Sequence, residues 1–231
     1  MVGLRRCCCS CMCIHLDNAQ LLELAINTSA TLFAAFSGAW AAFKFESRRR
    51  KQETIERQIS ATNRALYTIF NLWNVLRQFQ KESIEPVRGI IDIWLNMNAT
   101  LPTSYGLTSF QADELAFLLQ TEHVNIYAEL LLKEQRFWIA VRQIEMRSSI
   151  VLNEVFPKMA ASSVPVGAKL TEHQIENIIG IDVQHKLKEI TSGIIENVDE
   201  NVKSLIETHD KLRAAMKSIY PKKKFVTILF E

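Results

Sequence analysis

Five cysteines and five histidines are the side chains in this sequence best able to do chemistry, and their spacing limits what that chemistry could be. The cysteines, Cys7, Cys8, Cys9, Cys11 and Cys13, crowd into the first thirteen residues, with His15 just behind. Thiolates this close suit a soft ion such as Zn(II) or Cu(I), but no second ligand cluster follows at a finger-like distance. Acylation beside a membrane, or oxidation outside the cytoplasm, are the other chemistries open to the segment. A lipoprotein signal is excluded by order, because no apolar stretch precedes the cysteines. Initiation at Met12 instead of Met1 would delete Arg5, Arg6 and four of the five thiols.

The other histidines are His123, His173, His185 and His209. None lies in H-E-x-x-H, and Asp182 with His185 gives one carboxylate-x-x-His pair where a helical di-metal site needs two. His209 falls on a heptad-like stripe, where a polar residue sets register. Phosphate-cradling glycine motifs and G-x-S-x-G are missing, and no cysteine follows Cys13 to act as a nucleophile with a histidine. These residues predict no catalytic, cofactor-binding or metal site, and no small-molecule substrate.

The elements that would position them are helical. The chain holds only seven glycines and five prolines, and no sustained alternation of apolar and polar residues occurs before the last ten positions. From Leu24 to Phe43 no side chain is ionisable, and Lys44, Arg48, Arg49, Arg50 and Lys51 follow at once. That length and that flank predict a transmembrane helix over 21–45, with Trp40 and Phe43 as interfacial anchors. Asn27, Thr28, Ser29, Thr31 and Ser37 keep it only moderately hydrophobic, so a buried core helix is the competing reading. Ala30, Ala34, Gly38 and Ala42 recur every four residues, a small-residue face suited to self-association in the membrane. The five basic residues outnumber Arg5 and Arg6 on the other flank, which predicts the N-terminus outside and everything beyond the span in the cytoplasm, touching lipid headgroups through the basic run.

Past the span, apolar residues from Ile55 and Ile59 through Leu66, Ile69, Trp73 and Leu76 to Phe79 keep helical spacing, so one helix should continue from the span to about residue 80. Pro86 and Gly89 interrupt it, and Pro102 and Gly106 punctuate a loop. Thr108 with Gln111 resembles a capping box, and a helix should follow with a break near His123 to Asn125 and an end at Pro157. Residues 159–170 read as a linker. Thr171 with Gln174 is a second capping box, and Gly180 marks a kink or a short break. Thr191, Ile195, Val198, Val202, Leu205, His209, Leu212, Met216 and Ile219 then alternate steps of four and three, a coiled-coil-like stripe for the bundle or for a second subunit. Pro221 stops it. The tail 221–231, three lysines and then Phe225, Val226, Ile228, Leu229 and Phe230, could dock on a membrane, add a strand to a partner or fold back into the bundle.

Charge is nearly balanced, 27 basic against 25 acidic residues, which gives no argument for nucleic acid. Residues 44–98 carry ten basic and six acidic side chains, whereas 110–157 carry four and seven and 171–219 six and nine, so a basic first helix and two later acidic ones are suited to packing against one another. The fold expected is all-α: a cysteine-rich tail over 1–20, a single span, then a long antiparallel bundle with 46–158 and 171–220 as its two parts. Counting one helix out, one back and one out again places the C-terminus far from the bilayer. The function expected is a membrane-anchored helical scaffold or interaction module, not an enzyme, whose partners are the bilayer and a second copy or another helical protein. The competing class is an oligomeric channel, transport or membrane-perturbing protein in which Asn27, Thr28, Ser29, Thr31 and Ser37 line a path.

Overall fold

A computed structural model describes residues 18–100, 109–162, 164–165, 168 and 170–230. The described residues are predominantly helical, with no strand among them. Helix α1 spans Asn18–Phe79, α2 Ile93–Asn96, α3 Ala112–Leu115, α4 Val124–Ile150, α5 Phe156–Ala161, α6 Glu172–Ile179 and α7 Ile181–Ile219. The chain divides into two units, Met1–Ile55 and Glu56–Glu231.

In the first unit, α1 leaves its apolar side chains uncovered: Leu32, Phe33, Phe36, Trp40, Phe43 and Phe45 are all more than half exposed. No helix among the described residues is long and apolar enough to cross a membrane, so the expected span is not borne out. The reason lies in composition. Asn27, Thr28, Ser29, Thr31 and Ser37 dilute the apolar run below what a spanning segment carries, and α1 continues without interruption into the charged residues. The alternative of a core helix also fails, because nothing within this unit covers the segment. The cysteines and His15 lie outside the described residues, as do Thr108 and most of the expected loop before it.

The second unit is a bundle of α1, α4 and α7. Its main core takes Leu66, Ile69, Leu72, Trp73 and Leu76 from α1, Leu130, Phe137, Val141 and Ile144 from α4, and Ile194, Val198, Leu205, Leu212 and Met216 from α7. Each fully buried leucine or isoleucine contributes ~1.5–3 kcal/mol. These three stripes are the helical periodicities of the sequence meeting one another, so the heptad-like face of α7 is used inside this chain. A smaller core forms at one end from Trp94, Ile150, Val151, Val155, Ile175, Ile179 and Leu187.

The direction of the helices corrects the out-back-out topology. Gln80 of the turn that ends α1 reaches Asp199, whereas Tyr220 reaches Gln58, so α7 runs antiparallel to α1. Arg147 meets Thr191 and His123 meets Ser218, so α7 is also antiparallel to α4. α1 and α4 are therefore parallel. Thr100 lies beside Ser148 at one end of α4, and Phe110 beside Glu134 nearer its other end. The C-terminal segment consequently ends up beside Gln58 and Asn63, at the beginning of this unit and not at its far end.

Several local signals act as read. Thr171 and Gln174 form a reciprocal capping box at α6, with Gln174 N–H donating to Thr171 Oγ1 and Thr171 N–H to Gln174 Oε1. Gly180 joins α6 to α7 at φ +91°, where a side chain would be strained. Pro157 does not end the preceding helix. A π-turn, Val151–Val155, carries the chain past Ile150, and the proline sits in the first turn of α5, where its missing N–H has no intrahelical acceptor to lose. At α3 the N-cap is Gln111, without a side-chain cap.

Candidate functional site

The contact between α4 and α7 carries a row of polar groups inside an apolar seam. At one end Arg147 is 2% exposed and has no carboxylate among its contacts. Its guanidinium donates instead to Thr191 Oγ1 (3.0 Å), Trp94 O (2.9 Å), Met97 O (2.6 Å) and Asn98 O (3.2 Å). Three of these acceptors are carbonyls at the C-terminal end of α2, where unpaired carbonyls concentrate negative charge. Burial pulls Arg147 down to about 10, well under the usual arginine value. Next along the seam, Asn197 Nδ2 donates to Gln143 Oε1 at 2.7 Å, beside Gly193, where α7 comes close to Gln143. Further on, Glu129 accepts from Thr208 Oγ1 at 2.8 Å and from Lys211 Nζ at 3.0 Å. Burial pushes the Glu129 carboxyl up, but the hydrogen bonds from Lys211 and Thr208 outweigh it and leave it below the ordinary range. Such a row fixes the register of two helices, since a slip would strand its buried members, Arg147, Thr191 and Thr208, without their partners.

The seam ends at a pair that resembles nucleophile and base. His123 Nε2 lies 2.9 Å from Ser218 Oγ. The remaining parts of an acyl-transfer site are wrong. Glu122 approaches the same nitrogen at 3.6 Å instead of orienting the ring through Nδ1, and the Ser218 hydroxyl already donates to Ala215 O at 2.7 Å. Ser218 also sits in the last turn of α7, where the helix offers carbonyls and no N–H groups to an oxyanion. The pair ties two helix ends together.

His209 is 1% exposed. Its Nδ1 lies 3.1 Å from Asp210 Oδ1, and its ring meets Phe230 edge-on at 5.0 Å. His173 and His185 are exposed, and no cluster of three or more metal-ligating side chains forms among the described residues. An open groove of about 770 Å³ lies against α1, lined by Ile59, Asn63, Arg64, Phe110, Glu114 and Lys224 among others. Arg64 is ion-paired to Glu114, and Asn63 accepts from Val226 N–H, so these polar groups of a mainly apolar wall are already engaged.

The residues expected to face the membrane lie together on the first unit. Ala30, Ala34, Gly38 and Ala42 are exposed along one side of α1, and nothing lies within 4 Å of a side chain that Gly38 would carry. Lys44 Nζ stands 4.6 Å over the Trp40 ring. Arg50 and Arg49 pair with Glu46 at 2.9 and 3.2 Å, and Arg49 with Glu53 at 3.4 Å, whereas Arg48 and Lys51 form no ion pair among the described residues. The hydroxyls of Thr28, Thr31 and Ser37 donate to the carbonyls of Leu24, Asn27 and Phe33, one turn back. Sequence reasoning missed Arg147 and the polar row; Arg147 keeps step with Phe137, Ala140 and Ile144 on the buried stripe of α4, a spacing that could have marked it, whereas the partners of the row lie on other elements.

No protein-family model, curated protein or solved structure matches the chain. Its function therefore rests on this geometry.

Proposed function

We propose that the chain is a helical interaction module carried on an apolar helix that lies in a lipid bilayer, and that it is not an enzyme. The observation that carries this reading is the uncovered apolar surface of α1 from Leu24 to Phe43, followed by Lys44, Arg48, Arg49, Arg50 and Lys51. Large apolar side chains left in water on every side of one helix call for an apolar environment, and a basic run at its end matches anionic headgroups. The hydropathy of the segment is short of a spanning helix, and the back-bonded hydroxyls of Thr28, Thr31 and Ser37 recover part of that shortfall. A hydroxyl bonded to the carbonyl one turn back presents less unsatisfied polarity to lipid than its residue type implies. The Ala30, Ala34, Gly38 and Ala42 face is the contact for a second copy in the membrane, and the C-terminal unit lies on the cytoplasmic side with the basic run.

The test is alkaline extraction of membranes from cells expressing the full chain. A chain embedded in lipid stays in the membrane pellet. Complete release into the supernatant, as for a protein held by charge alone, would overturn the reading.

A further inference from the structure

The second unit contains a segment that is attached differently from the rest. After α7 ends at Ile219, the chain turns at Tyr220 to Lys223 and runs back without helix or strand. Its anchors are aromatic. Phe225 is 7% exposed, and the Phe230 ring stands edge-on to Trp73 and to His209, 5.0 Å from each. Val226 N–H donates to Asn63 Oδ1 at 3.1 Å and Lys217 Nζ donates to Lys223 O at 3.0 Å. Among the described residues, no other hydrogen bond joins 223–230 to the bundle. Beneath the segment the fit is incomplete, because Trp73 Nε1 and His209 Nε2 are buried without a hydrogen-bond partner. Val226 and Leu229 face outward, 40% and 79% exposed.

We propose that the groove between α1 and α7 is a peptide-binding groove whose occupant, the chain's own 221–230 segment, exchanges with the same segment of a second copy. A segment fixed by two side-chain anchors and little backbone bonding opens at lower free energy than the helices beneath it. Opening bares Phe70, Trp73, Phe225 and Phe230 together, and that apolar surface must be covered again. The segment of a second copy fits it contact for contact, because it is the same segment, and reciprocal exchange closes as a two-fold pair. Pro221 and the short turn after it are the hinge. The proposal supplies the module with a defined self-contact and does not depend on where the first unit lies.

The experiment uses two full-length versions in which the five native cysteines are serine. One carries Asn63→Cys and an affinity tag, the other carries Val226→Cys without it. With one thiol per chain, a disulfide between positions 63 and 226 can form only between copies. After mixing and mild oxidation, that species should form, and adding a synthetic peptide of residues 221–231 should suppress it while a scrambled peptide does not. Replacing Phe225 and Phe230 by alanine in the second version should lower its yield by roughly tenfold. The same yield from the anchorless version, or with saturating 221–231 peptide, means random collision and overturns the proposal, as does absence of the species. Should the doubly substituted version fail to fold by circular dichroism, the peptide competition decides alone.

Discussion

Replacing Arg147 with methionine tests whether the second unit is held by a buried cation or only tolerates one. The substitution keeps an unbranched side chain of similar reach and removes four hydrogen bonds, to Thr191 Oγ1 and to the carbonyls of Trp94, Met97 and Asn98. Trp94 and Met97 are buried, at 4% and 2% exposure, so their carbonyls cannot turn to water without moving α2. Each buried acceptor left unmade costs about 1–3 kcal/mol, which gives roughly 2–6 kcal/mol for the two. Against this, a guanidinium no longer has to be desolvated, a saving of several kcal/mol in an unpaired site but less where carbonyl dipoles already face the charge. The losses win here because three carbonyls converge on the group, leaving a net destabilisation of about 2–3 kcal/mol. Urea unfolding followed by circular dichroism measures it, and amide hydrogen exchange should show the loss concentrated at residues 93–100. Lysine at position 147 keeps the charge but not the planar fork, and should recover less than half the loss. An Arg147→Met chain as stable as the parent, with unchanged exchange at 93–100, would refute the reasoning and show that the cation is merely accommodated.

Three further outcomes follow from particular contacts. Asp199 is pushed up by burial but held below its ordinary value by the hydrogen bonds from Arg88 and Gln80. A carboxylate depressed in the folded state adds stability above its unfolded pKa and loses it as pH falls through the folded value, so Asp199→Asn should flatten the fall in stability below about pH 4, read from urea midpoints between pH 2 and 7. Because the Arg88 pair is partly exposed, its contribution at neutral pH should be no more than about 1 kcal/mol. Gly180→Ala should destabilise by about 1–2 kcal/mol through strain at φ +91°, measured by thermal unfolding; no change would mean that the α6–α7 junction relaxes freely. Gly38→Leu should lower self-association in detergent micelles by analytical ultracentrifugation, and an unchanged oligomer mass would remove the small-residue face from the account.

Much of the architecture is legible in the sequence because helical signals are local. The stripe from Leu66 to Phe79, the Thr171 capping box, the Gly180 break and the stop before Pro221 each depend on residues within a few turns, and each is found in place. What could not be read is whatever a distant partner decides. The parallel course of α1 and α4 is known only from the contacts each makes with α7, which no local pattern in the sequence reveals. Pro157 looks like a terminator until the π-turn before it shows that the chain passes into a new first turn, where proline is tolerated. Arg147 keeps step with Phe137, Ala140 and Ile144 on the buried stripe of α4 and solvent-facing Arg142 does not, so the spacing marks a buried position, whereas its acceptors, on α7 and around α2, are set by distant parts of the chain. The stripe on α7 suited a second subunit as well as this one, and only the placement of α4 resolves it. The five polar neutral residues of the segment over 21–45 are legible in the sequence, but how far they lower its hydropathy decides the matter, and no helix among the described residues is long and apolar enough to cross a membrane.

The central proposal is that the apolar part of α1, from Leu24 to Phe43, lies in lipid, and the most direct measurement places a probe on it. In a version with the five native cysteines replaced by serine, Phe36→Cys and, separately, Arg49→Cys carry an environment-sensitive fluorophore, and the protein is reconstituted in vesicles containing anionic lipid. The account predicts that the label at 36 emits at short wavelength and is quenched by lipids spin-labelled deep in the acyl chain, whereas the label at 49 is quenched from the aqueous side. A label at 36 that is quenched by aqueous iodide and ignores the spin-labelled lipid would contradict it.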